Sequence, residues 1–209
     1  MFPIGAFSHS DGLEAATSSG EVSTGDDFRR WLMAVRDHAL RTFEGPAVSR
    51  AWRAASLANV TNLVAVDGEV HALRPAAAAR EASRAMGSRL LKTWQQLHPA
   101  TSFSDLSPLP DTLTLPVAFG LVCQRADVTE ADAVGAYAYT RLAASLSSAM
   151  RLMSLGQRAG HTILSDALSG LPMIVDDVVR SSAPLGSFTP LMDIAAMRHQ
   201  YVHSRLFRS

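Results

Sequence analysis

Cysteine is almost missing from this chain: Cys123 is the only one in 209 residues. That excludes an intrachain disulfide and any site built from paired thiolates, and it suits a reducing compartment. Net charge is missing as well. Lysine plus arginine and aspartate plus glutamate stand at 19 each, so no bulk field draws the protein to nucleic acid or to anionic lipid. Met1 to Gly20 lacks the basic start and continuous apolar run of a signal peptide and carries Asp11 and Glu14, so the expected location is the cytoplasm. The one stretch resembling a membrane span, Ala131 to Leu155, contains Asp132, Arg141 and Arg151, and is rich in alanine and serine. A charge near the middle of hydrocarbon is expensive, so this reads as a buried helix of a soluble domain. Catalytic signatures are absent too: there is no GxxxxGK[ST], no HExxH and no GxSxG.

What is present is apolar content, 47% of residues, enough for a substantial core and consistent with a single domain over residues 1–209. The periodicity is helical, predicting an all-α bundle. Phe28, Trp31, Leu32, Val35, Ala39 and Phe43 recur at spacings of three and four. Thr24 with Asp26 and Asp27 marks the start of that helix, and Gly45-Pro46 is expected to end it. A second helix is expected from about Pro75 through Met86, Leu90 and Trp94 to His98-Pro99. Gly87 within it signals either a close approach by another backbone or simple tolerance. Ala131 to Leu155, with small residues around its circumference, is expected to be the central helix. Further helical pattern follows through His161, Ile163, Leu164 and Leu168, then Ile174 to Val179, and a last short helix should occupy Pro190 to His203. Asn62 to Leu73, with Asp67-Gly68 between β-branched residues, carries a hairpin signal, and Thr112 to Cys123 fits a strand as well as a helix. Local pattern leaves both open. Ser102 to Thr114, with Pro108 and Pro110, reads as an exposed loop.

Two constellations have chemical content. His199 and His203, at i,i+4 on a helix, would share a face and could contribute two ligands to a transition metal, with the remainder supplied by a second chain; polar surface residues are the alternative. The segment Met197 to Ser209 packs Tyr201, Leu206 and Phe207 with Arg198, Arg205 and Arg208. Such residues at a chain end either dock on the protein's own core or anchor a partner. A small helical enzyme of unknown reaction is a further reading.

The segment Phe2-Pro3-Ile4-Gly5-Ala6-Phe7-Ser8-His9-Ser10-Asp11-Gly12-Leu13-Glu14 resembles the PIGAFSxSxGLE element of the UreF family of urease accessory proteins. Three more blocks resemble that family in the same order. Arg80-Glu81 with Ser83, Gly87 and Leu90-Leu91 is similar to RExSxxxGxxLL, and Leu155-Gly156-Gln157 to the LGQ turn. Asp193-Ile194-Ala195 through Met197-Arg198-His199 and Tyr201 to Ser204-Arg205-Leu206-Phe207-Arg208-Ser209 is similar to DIAxMRHxxxxSRLFRS. The resemblance implies an all-α fold, helical over the two ambiguous stretches, that dimerises and has neither chemistry nor cofactor of its own. It implies partnership with the accessory protein UreD (also called UreH) and the GTPase UreG in a complex that helps nickel enter apo-urease. It further implies that residues 197–209 form a partner-binding tail through Arg198, His199, Tyr201, Ser204, Arg205, Leu206, Phe207 and Arg208. Family members usually carry an apolar helical stretch before the first element, whereas this sequence starts at Met1-Phe2. Ala144 stands where asparagine is expected and His203 where the family is not normally histidine, so the His199 and His203 pair is not a family metal site.

Overall fold

The computed structural model describes residues 9–99 and 103–208, so the expectations placed on Phe2 to Ser8 and on Ser209 lie outside it. The described residues contain no strand. In chain order the helices are α1 (Leu13–Ser18), α2 (Gly25–Ala34), a π-helical stretch (Val35–Glu44), α3 (Gly45–Ser56), α4 (Val60–Ala72), α5 (Ala77–Leu97), α6 (Leu115–Arg125), α7 (Glu130–Leu152), α8 (Gln157–Ser169), α9 (Leu171–Arg180) and α10 (Pro190–Arg198), the last continuing into a 3₁₀ turn, His199–Tyr201. No described helix is long and apolar enough to cross a membrane.

The amphipathic segment starts as its residues require. Thr24 Oγ1 accepts from the Asp27 N–H at 3.2 Å while Asp27 Oδ2 accepts from the Thr24 N–H at 2.8 Å, a reciprocal cap that satisfies two otherwise orphaned donors. Its expected end at Gly45-Pro46 is overturned, because the chain stays helical from Gly25 to Ser56. Pro46 cannot donate to the carbonyl four residues back, that of Thr42. The N–H of Gly186 serves that carbonyl instead, at 3.0 Å. The widened π turns carry the backbone past the proline, and Gly45 has no room for a Cβ against Leu40.

The hairpin signal at Asn62 to Leu73 is likewise overturned. Asn59 caps α4 by accepting from the Asn62 N–H at 2.9 Å. Asp67, only 5% exposed, turns inward to accept the Thr114 N–H at 2.6 Å, just where α6 begins. An aspartate that looks like a turn former is thus a cap lent to another segment. Thr112 to Cys123 is helical from Leu115, with Pro116 in the first turn. The loop before it is not wholly exposed, since Phe103, Leu106 and Leu113 are buried beneath α5 and α6.

The core runs through nearly every element. Its centre is shared by α7, as expected, and by α3, which presents Ala47, Val48, Ala51, Ala54 and Ala55 to its neighbours. Gly120 of α6 lies against the Val48 carbonyl, leaving no space for a side chain. Gly87 of α5 meets the backbone of Leu113 and Thr114 in the same way, so close approach, not tolerance, accounts for it. Ser83 Oγ, one turn earlier, accepts the Leu115 N–H at 3.1 Å. The last helix is shorter than the expected Pro190 to His203, ending at Arg198 before the 3₁₀ turn.

Candidate functional site

The first and last described helices, α1 and α10, meet. Gly12 has φ +88°, in the left-handed region that a Cβ resists, and any Cβ there would lie 2.7 Å from the backbone nitrogen of Ala196 in α10. Glycine therefore lets α1 abut α10. Two residues on, Glu14 is 3% exposed yet carries a carboxylate. Its Oε2 lies 2.7 Å from His199 Nε2 and accepts from the Phe207 N–H at 3.2 Å, while Oε1 accepts from the Leu206 N–H. A carboxylate is acceptor-only, so three donors converging on two oxygens satisfy a group that would otherwise be costly to bury. The Phe207 ring is seated beneath the guanidinium of Arg151, 4.6 Å from its centroid.

The eight residues expected to bind a partner therefore divide. His199 and Phe207 point into the protein, 2% and 4% exposed. Arg198 is exposed and pairs with Glu21 at 3.1 Å. Tyr201, Ser204, Arg205, Leu206 and Arg208 face outward. His203 is exposed and lies beyond the last helical turn, so the helix face it was expected to share with His199 does not form. Among the described residues no three His, Cys, Asp or Glu side chains come together as metal ligands, and burial pushes the Cys123 thiol up to about 12, leaving it a poor nucleophile and ligand.

Sequence reasoning missed the rest of the outer face. Leu191, Ile194 and Met197 of α10 are exposed, as is Phe188 just before it. Their signal was present in the spacing of Leu191, Ile194, Met197 and Tyr201 at threes and fours, read there only as helix. Beside them a groove of about 500 Å³ opens between α2 and the start of α10, lined by Trp31, Ala34, His38, Phe188, Leu191 and Met192. Glu14 was missed too, and its signal was a lone carboxylate between Leu13 and Ala15-Ala16.

Behind this face lies a charged network. Arg141 of α7 donates from Nε to Glu44 Oε2 at 2.8 Å and from Nη1 to Asp11, and Arg74 Nη2 donates to Glu44 Oε1 at 2.5 Å. Burial works to raise the Glu44 carboxyl, but the charges of Arg141 and Arg74 outweigh it and hold the group below the ordinary range. The same balance, with Arg141 dominant among the charges, lowers Asp11. Burial drives the Tyr137 phenol well above its usual value, with Glu44 adding to the effect. The adjoining cavity is small, about 80 Å³, and includes Asp193, whose carboxyl burial raises. With its charges paired to one another, the network ties together the end of the π-helical stretch, the α4–α5 link, α7 and the residue before Gly12, in place of presenting a reactive group.

A family model described as UreF matches residues 22–168. A urease accessory protein UreF of Methylobacillus flagellatus is 34% identical, the similarity covering 100% of this chain and 93% of that protein. Proteins of the same description from Azoarcus sp. and Rhodopseudomonas palustris are 32% and 31% identical, over 99% and 100% of this chain and 90% and 86% of theirs.

Proposed function

Because the chain belongs to the UreF family of urease accessory proteins, we propose that it acts as a scaffold for nickel insertion, in the cytoplasm and as a homodimer, binding the UreD/UreH protein and the GTPase UreG so that nickel can pass to apo-urease. An accessory protein is not itself a catalyst. Its contribution would be positional: it holds partners in place and makes no covalent bond. The observation that carries this reading is the distribution of exposed apolar side chains. Among the described residues, six of the eleven large exposed hydrophobics (Phe188, Leu191, Ile194, Met197, Tyr201 and Leu206) fall between residues 188 and 206. Isolated exposed apolar residues need no explanation, but six concentrated in one short stretch of chain, interspersed with the exposed Arg198, Arg205 and Arg208, have the composition of a protein interface.

The test is co-expression with the UreD/UreH protein and UreG followed by affinity purification through a tag on this chain. Recovery of a single complex supports the scaffold. Recovery of this chain alone, under conditions where both partners are soluble, contradicts it. Light scattering on the isolated protein tests the dimer, and a strict monomer at working concentrations removes that part of the proposal.

A further inference from the structure

We propose that Glu14 is the positioning residue for the partner-facing tail: its buried carboxylate, grasping His199 and the backbone N–H groups of Leu206 and Phe207, decides which side chains of the tail face outward. The inference deepens the scaffold reading and rests on it. Beyond Tyr201 the tail has no helix to fix it, and residues 202–208 include no regular element. Its conformation is set by what it touches. Glu14 takes two consecutive backbone N–H groups, and an extended or turning chain gripped at adjacent amides can no longer rotate about its own axis. Phe207 is then committed inward under Arg151, and Leu206, its immediate neighbour, is committed outward, 53% exposed. The grip on His199 fixes the other end of the same segment, with Tyr201 two residues on and 77% exposed.

Glutamate suits this role where glutamine would not. Three donors approach two oxygens, and an amide offers one acceptor oxygen while turning a second donor toward a donor. Because Glu14 is itself 3% exposed, it reaches a partner only through the tail it holds. Its effect on binding is pre-organisation, sparing the partner the ordering of seven residues.

Two readouts on the Glu14→Gln protein test this. Amide hydrogen exchange in the free protein follows residues 202–208, and titration with the UreD/UreH protein gives affinity. Loss of a charge-assisted pair of hydrogen bonds predicts at least about tenfold faster exchange in the tail and about tenfold weaker binding, with α3 and α7 as protected as before. Tyr201→Ala is the contrast: binding weakens and tail exchange stays unchanged. Should Glu14→Gln fail to fold, Glu14→Asp, which keeps the charge but draws the carboxylate one methylene back from the Leu206 and Phe207 amides, carries the same two expectations. Unchanged tail exchange, or a loosened tail with full affinity, overturns the proposal. Wild-type protein that does not bind UreD/UreH at all overturns the scaffold reading and this inference with it, an outcome recognisable because it needs no variant.

Discussion

The crossing of α3, α5, α6 and α7 and the face formed by α10 and the tail are built from opposite materials. At the crossing, side chains are small and backbones touch at Gly87 and Gly120, and between it and the tail face the charges of Glu44, Arg74 and Arg141 are paired with one another. On the tail face, side chains are large and exposed, and one buried carboxylate secures the segment from beneath. Substitution at the first should therefore be read out as stability and at the second as binding. The centre has no slack for new atoms, whereas the outer residues of the face have few neighbours to lose.

The sharpest way to break that contrast is Arg141→Ala. It leaves Glu44, 2% exposed, with Arg74 as its one remaining cation, and cutting a buried pair costs about 3–5 kcal/mol, more than any exposed arginine of the tail should cost. Thermal or denaturant unfolding measures it. The pH dependence has a definite sign. Glu44 and Asp11 have native values lowered below their ordinary 4.5 and 3.8, so the unfolded chain takes up protons first as acid is added. Their contribution is complete above the ordinary values and is lost as the pH falls through the depressed native ones. The Arg141→Ala protein should show a smaller loss across that window. A variant as stable as the wild type, with an unchanged acid limb, would mean that the network contributes nothing net.

Next in size is Gly87→Ala. The new methyl would run into the Leu113 carbonyl and the Thr114 backbone, neither of which yields as a flexible side chain would. Overpacking of this kind costs about 1–3 kcal/mol, seen as a lower denaturant midpoint with an unchanged slope. The mirror image on the tail face is Tyr201→Ala. At 77% exposure it should leave the melting temperature within error, yet weaken capture of the UreD/UreH protein by roughly thirtyfold, or about 2 kcal/mol, if it is an interface anchor. A fall in stability with unaltered binding would reverse the roles assigned to the two regions.

At the crossing, α5 and α7 were legible and α3 and α6 were not. Apolar spacing from Phe28 to Phe43, the Thr24 cap and the small-residue run of α7 all act locally, and the structure has them where the pattern puts them. What escaped were residues serving a partner distant in sequence. Asp67 looked like a hairpin turn because its true acceptor role is to Thr114, 47 residues away. Pro46 looked like a terminus because nothing local shows that Gly186 will take over the Thr42 carbonyl. In the tail, residue type identified His199 and Phe207 as remarkable for a chain end, but only tertiary contact with Glu14 and Arg151 turns them inward.

The smallest expected effect separates a glycine that is required from one that is not. Gly68 sits in the interior of α4, like Gly87 in α5, but nothing lies within 4 Å of the position its Cβ would take. Its φ is not in the left-handed range, so alanine is unstrained there. Glycine loses more backbone entropy than alanine on entering a helix and contributes no side chain, which makes it worse by about 1 kcal/mol in an exposed helix interior. Gly68→Ala should therefore raise stability by roughly that amount, as a small upward shift of the denaturant midpoint, while partner binding stays constant. The pair of substitutions shares one chemistry, a single methyl added to a mid-helix glycine, and is expected to change sign between α4 and α5. If both destabilise, helix propensity and close approach cannot be what distinguishes them, and the account of the α5–α6 junction given by Gly87 loses its support. If both stabilise, the backbone at Leu113 and Thr114 gives way more readily than a core packed on its own carbonyls allows.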